Sequence, residues 1–117
     1  MIKQAKGVRG KADKLASQIV RSIGHCERCG STEWLQCSHI VSRRYSATRT
    51  DLDNLQCLCA KCHRYFTLWP KEFSRWITQS IGVEKYEQLK RKAEAVTKVD
   101  WSAEYERLKE RAKDYDL

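Results

Sequence analysis

The sequence has one proline and five glycines in 117 residues, too few for a low-complexity or collagen-like chain. It contains no run of about 18 apolar residues that would span a bilayer. Its opening, Met1-Ile2-Lys3-Gln4-Ala5-Lys6, lacks the apolar centre of a secretory signal. These absences predict a soluble, cytoplasmic chain with no membrane partner. No internal repeat is present, and the length suits one compact domain rather than a multidomain enzyme. Acidic residues are also in short supply, 15 against 23 Lys and Arg, which leaves a net charge of +8 and predicts a polyanionic partner. What is there in quantity is enough apolar residue, 41% of the chain, for a small core, and six cysteines.

The charge is unevenly spread. Ahead of Cys26 the chain carries six basic residues and one acidic; from Cys26 to Pro70 it carries six and four; beyond Pro70, eleven and ten. The electrostatic footprint therefore starts at the N-terminus. Residues 1–10 read as a flexible basic arm. Residues 11–24 read as an amphipathic helix, with Ala12, Leu15, Ala16, Ile19, Val20 and Ile23 on one face and Lys11, Lys14, Gln18 and Arg21 on the other, and Gly24 as its stop. That basic face is either plain solvated surface or a contact for nucleic acid.

Residues 71–117 read as a helical extension of the same domain. Pro70 suits the first turn of a helix presenting Phe73, Trp76 and Ile77, and Gly82 separates it from a second with Val83, Tyr86, Leu89, Ala93 and Val96 in register. A last helix after Asp100 carries Trp101, Tyr105, Leu108, Ala112 and Tyr115 in line. That line either covers the domain, the favoured reading, or pairs with another copy in a homodimer.

In a reducing compartment cysteines at metal-ligand spacing point to a metal rather than to disulfides. Cys26-x2-Cys29 and Cys59-x2-Cys62 form two knuckles that supply four thiolates to one tetrahedral structural zinc. Binding worth on the order of 10 kcal/mol would rival the stability of a whole small domain. Cys37 and Cys57 sit in strand-like runs and read as small buried hydrophobes, and His25 reads as a bystander to the first knuckle.

Between the knuckles the chain is longer than in a plain zinc ribbon and holds His39 and Asn54, with His63 just beyond the second pair. Trp34 to Val41 reads as a strand, Leu55 to Leu58 as another, and Ala60 to Thr67 as a helix. The set Cys26-x2-Cys29, Ser38-His39-Ile40-Val41, Asp53-Asn54-Leu55 and Cys59-x2-Cys62-His63 resembles HNH endonucleases of the ββα-metal fold with a four-cysteine zinc, over about residues 25–70. The wider run through Thr48-Arg49-Thr50-Asp51-Leu52-Asp53-Asn54 and the Phe73/Trp76 helix resembles phage recombination endonucleases of the NinG (Rap) type. The fold this implies is α+β, a small zinc-stabilised core of residues 25–70 flanked by N- and C-terminal helices.

The same resemblance implies a metal-dependent DNA endonuclease or nickase that hydrolyses phosphodiesters, plausibly in branched or recombining phage DNA within a bacterial host. His39 would be the general base, Asn54 would hydrogen-bond and orient it, and His63 would hold a catalytic Mg²⁺ or Mn²⁺. Ser38 stands where the family often has Asp or His as a second metal ligand. A hydroxyl is a poor substitute, so the ion would lean on His63, waters, the phosphate and a carboxylate such as Asp51 or Asp53. Arg43, Arg44, Arg49 and Arg64 are candidate phosphate contacts, with Lys11, Lys14 and Arg21 behind them. No base-reading helix is evident, so selectivity would come from DNA shape. Two other functions fit parts of the sequence: a zinc-stabilised DNA-binding module without cleavage, and, more weakly, a thiol redox protein.

Overall fold

The computed structural model describes residues 7–95 and 98–117. The first helix, α1, spans Val8–Arg21, so it begins inside the stretch expected to be arm. Val8 is buried and extends the stripe of Ala12, Ala16 and Ile19 back by one turn. Burial of such a side chain is worth about 1.5–3 kcal/mol, enough to outweigh the roughly 1 kcal/mol that Gly10 costs in a helix interior. Residues 1–6 of the expected arm lie outside the described residues. At the other end the helix closes at Arg21, and the chain turns away through Gly24 at φ 85°. Ile23, expected on the buried face, is therefore 40% exposed.

Helix α5 (Trp101–Ala112) is N-capped by Asp100, whose carboxylate accepts the Ala103 N–H at 3.1 Å. Its Trp101, Leu108 and Ala112 share one core with Val8, Ala12, Ala16, Ile19 and Val20 of α1 and with Leu55 and Cys57 of the sheet. The apolar line that could have paired two copies is thus spent within the chain, with only Tyr115 left over at 37% exposure. A homodimer gains nothing from it.

The sheet has two antiparallel strands, β1 (Leu35–His39) and β2 (Leu55–Cys59), in the register Leu35 to Cys59 through His39 to Leu55. Cys37 and Cys57 face each other in that register and join the α1 side of the core. Burial pushes the Cys37 thiol up to about 11 and raises Cys57 as well, so both stay protonated at neutral pH, as small apolar groups. Helix α2 (Ala60–Leu68) leaves the end of β2 directly. Helix α3 (Pro70–Ile81) opens with its proline in the first turn, and Gly82, at φ 87°, makes the corner into α4 (Val83–Glu94). Phe66 of α2 lies 5.1 Å from Phe73 and 5.2 Å from Trp76, ring centre to centre, which fixes α3 against α2. Val96, expected to continue the α4 stripe, lies outside the described residues.

The α+β class expected from the sequence is the one observed, with strand, loop, strand and helix in that order and helices on both flanks. Because Leu108 is fully buried at the α1–α5 seam, Leu108→Ala is expected to destabilise the chain by about 2–5 kcal/mol. Urea unfolding measures this directly.

Candidate active site and metal centre

The four knuckle cysteines converge as their spacing predicts. The Sγ atoms of Cys26, Cys29, Cys59 and Cys62 all lie within 4.8 Å of one another, and Cys29 and Cys59 are 3.7 Å apart. A zinc ion with Zn–S bonds of about 2.3 Å requires sulfurs about 3.8 Å apart, so the set fits structural zinc. Backbone geometry builds each half. The Gly30 N–H donates to the Cys26 carbonyl at 2.8 Å, and the Cys62 N–H donates to Cys59 Sγ at 3.4 Å. The first knuckle is also stitched to the outer edge of β2: Glu27 donates its N–H to the Cys57 carbonyl at 2.8 Å, and its carboxylate accepts the Cys57 N–H at 2.6 Å.

The thiols are strongly split in acidity. Burial raises Cys26, but backbone groups of Cys59, Cys29 and Arg28 outweigh it and bring Cys26 down to about 6. Cys62 is pushed up to about 12 by burial and by the three neighbouring sulfurs, against the pull of Arg28. Arg28 donates to Cys62 Sγ at 3.4 Å while lying 4.5 Å over the Tyr65 ring, a cation in contact with a ligand sulfur that the sequence did not flag. His25 is exposed and takes no part in the cluster.

Beside this centre, His39 ends β1 and His63 sits in the first turns of α2. Both line one cleft of about 570 Å³, together with Ser38, Ser42, Phe66, Thr67, Pro70 and Phe73. Each imidazole is held by one nitrogen. His39 Nε2 is 3.0 Å from the Arg49 carbonyl, and because a carbonyl only accepts, Nε2 carries the proton and Nδ1 is left as a base. Burial holds the His39 pKa below its usual 6.5, with the Arg49 carbonyl opposing part of that shift. His63 Nδ1 lies 2.6 Å from Gln36 Oε1, so Nδ1–H donates and Nε2 keeps its lone pair for a cation. Gln36 is a supporting residue that strand alternation could have indicated, since it lies two positions before Ser38 on the same face of β1.

Asn54 is fully buried, yet its side chain does not reach His39 as expected. Its Oδ1 accepts the Val41 N–H at 2.8 Å, and its Nδ2 donates to the carbonyls of Val41 and Thr48 at 3.0 Å each. Asn54 closes the loop between the strands, and the loop delivers the Arg49 carbonyl.

Two carboxylates expected near the ion are elsewhere. Asp51 is bonded to Lys92 at 2.6 Å and Asp53 pairs with Lys85 at 3.5 Å, both on α4 and away from the His39–His63 cleft. Among the described residues that cleft is lined by two imidazoles and the hydroxyl-bearing Ser38, Ser42 and Thr67, with no carboxylate. So thin a donor set suits an ion held mostly by water and substrate phosphate. Directly across the register from Ser38, Gln56 buries an Oε1 that has no hydrogen-bond partner.

The expected phosphate contacts divide. Lys14, Arg21 and Arg43 line a second cleft of about 540 Å³ between α1 and β1, and His39 is the wall common to both clefts. Lys11, Arg44 and Arg64 are exposed. Arg49 is not available: its guanidinium is committed to Asp13 in a two-pronged pair at 2.7 and 2.8 Å, with 14% of the side chain exposed.

Chelation of zinc is expected to unfold the chain, because four crowded sulfurs lose the cation that reconciles them; circular dichroism and metal analysis before and after chelator measure this. Cys62→Ser should lower bound zinc likewise. Acidification should release zinc as thiolates take up protons, so retention rises with pH.

A family model described as HNH endonuclease matches residues 26–65, the stretch from the first zinc-type ligand to α2. No curated protein and no solved structure matches the chain. The matched stretch spans both cysteine pairs, His39, Asn54 and His63, so the likeness covers the cluster that fits zinc and the two histidines of the cleft beside it, but not the Phe66, Thr67, Pro70 and Phe73 wall.

Proposed function

We propose that the protein is a metal-dependent HNH DNA endonuclease or nickase, with branched or recombining phage DNA as its substrate. The observation that carries this is His39, held on the Arg49 carbonyl with its basic nitrogen free, in one cleft with His63. The narrower likeness to NinG-type recombination endonucleases draws its support from the Thr48–Asn54 run and the Phe73/Trp76 helix.

Hydrolysis of a phosphodiester needs a water deprotonated in line with the ester bond, and relief of the charge that repels it. His39 Nδ1 takes the proton as the water oxygen bonds to phosphorus and the opposite P–O bond breaks. Its lowered pKa keeps it unprotonated at neutral pH, and general-base help of this kind is worth roughly 10²- to 10⁴-fold. His63 Nε2, with Ser38 beside it, would hold Mg²⁺ or Mn²⁺, and such an ion supplies charge neutralisation at the phosphate and the leaving oxygen. Lys14, Arg21 and Arg43 lead the strand towards His39, with Lys11, Arg44 and Arg64 as outlying contacts. Selectivity in this reading is for DNA shape.

A second reading, a zinc-stabilised DNA-binding module without cleavage, is favoured by one observation: the absence of any carboxylate from the lining of the His39–His63 cleft.

Zinc-loaded protein is expected to cut plasmid or synthetic branched DNA only when Mg²⁺ or Mn²⁺ is added. No cutting of any substrate with either ion would overturn the enzyme reading in favour of the second. His39→Ala should lose about 10²- to 10⁴-fold in rate while keeping zinc and DNA affinity. The acid limb of the pH–rate profile should fall below pH 6.5, because burial disfavours the imidazolium; a limb above 6.5 would assign the base elsewhere.

A further inference from the structure

We propose that Asp13 of α1 and Glu104 of α5 are positioning residues for His39, holding the residue 49 carbonyl that fixes its ring. This rests on His39 as the base, and it enlists two helices that lie outside residues 26–65. The loop between the strands is closed at its base by short backbone bonds, Ile40 N–H to Asn54 O and Asn54 N–H to Asp51 O at 2.8 Å each, but around Arg49 its turn bonds, Thr48 N–H to Tyr45 O, Arg49 N–H to Ser46 O and Asp51 N–H to Thr48 O, lengthen to 3.4, 3.3 and 3.2 Å. Side chains add to those bonds at four consecutive residues, one from the loop itself and the rest from α1, α5 and α4. Asn54 takes the Thr48 carbonyl. Asp13 grips the Arg49 guanidinium with both carboxylate oxygens. Glu104 accepts the Thr50 hydroxyl at 3.0 Å, while Arg107, itself paired with Glu104, reaches the Thr50 carbonyl at 3.5 Å. Lys92 holds Asp51.

The Arg49 carbonyl lies between the Asp13 and Glu104 grips. A planar guanidinium on a carboxylate fixes direction as well as distance. The carbonyl flanked by these two clamps cannot swing without breaking one of them. Freed from either, it would no longer hold the His39 Nε2–H, and the ring would rotate and exchange its proton between nitrogens. A displacement on the order of 1 Å in a reacting group costs up to about 10²-fold in rate.

The test compares the parent chain with Asp13→Ala, Arg49→Lys and Glu104→Gln, each checked for zinc content and thermal unfolding. The readouts are metal-dependent cutting and the ¹⁵N-detected state of the His39 ring. The parent should show one Nε2–H tautomer with a slowly exchanging ring proton. Asp13→Ala and Arg49→Lys should both lose that proton's protection and about 10- to 100-fold in kcat, with KM for DNA little changed, and the double variant should be no worse than either alone.

Asp13→Ala also removes a negative charge from a basic cleft. A purely electrostatic role would therefore tighten DNA binding and leave kcat intact, an outcome that overturns the proposal. So would lost cutting with an unchanged His39 ring signal. If Asp13→Ala fails to fold, Arg49→Lys and Glu104→Gln carry the same comparison. If the parent cuts no DNA, the nuclease reading fails while the ring spectra still decide whether Asp13 and Glu104 fix His39.

Discussion

Four sulfur atoms within 4.8 Å of one another cannot all be thiolates unless a cation lies among them. The rest of the chain is arranged around that constraint. One pair of sulfurs sits on a turn hooked to the edge of β2, and the other sits where β2 becomes α2, so a single ion among them would join knuckle, sheet and helix. A two-stranded ribbon is marginal in water on its own, and here its far end carries the cysteine cluster while its faces are covered by α1 on one side and α2 on the other. The same cluster sets the distance between β1 and the first turns of α2, which is what brings His39 and His63 into one cleft.

Charge is used differently in the two halves of that cleft system. Towards α1 the walls are cationic, with Lys14, Arg21 and Arg43 converging beside a single carboxylate, Asp13, which pairs closely with Arg49 at 2.7 Å and more loosely with Arg43 at 3.8 Å. Towards α2 and α3 the walls, among the described residues, are hydroxyls and rings, with no Asp, Glu, Lys or Arg. A polyanion would meet its long-range attraction on one side and its close contacts on the other, and His39 stands on the line between. The exposed i,i+3 pairs along α5, such as Lys109–Glu106 and Lys113–Glu110, add little to stability and simply keep that flank near neutral.

How much of this was legible in the sequence follows from the range of each interaction. The knuckles, the two strands and the helix bearing His63 are local patterns of two to nine residues, and spacing alone located them. Asp13 and Arg49 are 36 positions apart and Thr50 and Glu104 are 54 apart, and no periodicity couples residues at such separations. Arg49 therefore looked like a free phosphate contact, and Asp51 and Asp53 looked like metal ligands, until the packing of α1 and α4 gave each a nearer partner. Asn54 was expected to bond His39 directly, and its actual partners, Val41 and Thr48, depend on the path of an irregular loop. The early start of α1 was hidden for a related reason: Val8 is worth burying only because α5 comes back to cover it.

The cysteine cluster and the side chains that hold the loop beside His39 do not lie in one stretch of chain. Residues 26–65 hold every cysteine of the cluster with His39, Asn54 and His63, yet Arg49 and Thr50, on either side of the carbonyl that meets His39, are bonded from outside that stretch, by carboxylates on α1 and α5. A fragment trimmed to the motif would keep the four cysteines but lose α1 and α5, which cover Leu55 and Cys57 and carry the carboxylates bonded to Arg49 and Thr50. Moving the motif to another scaffold would mean carrying those two helices along with it.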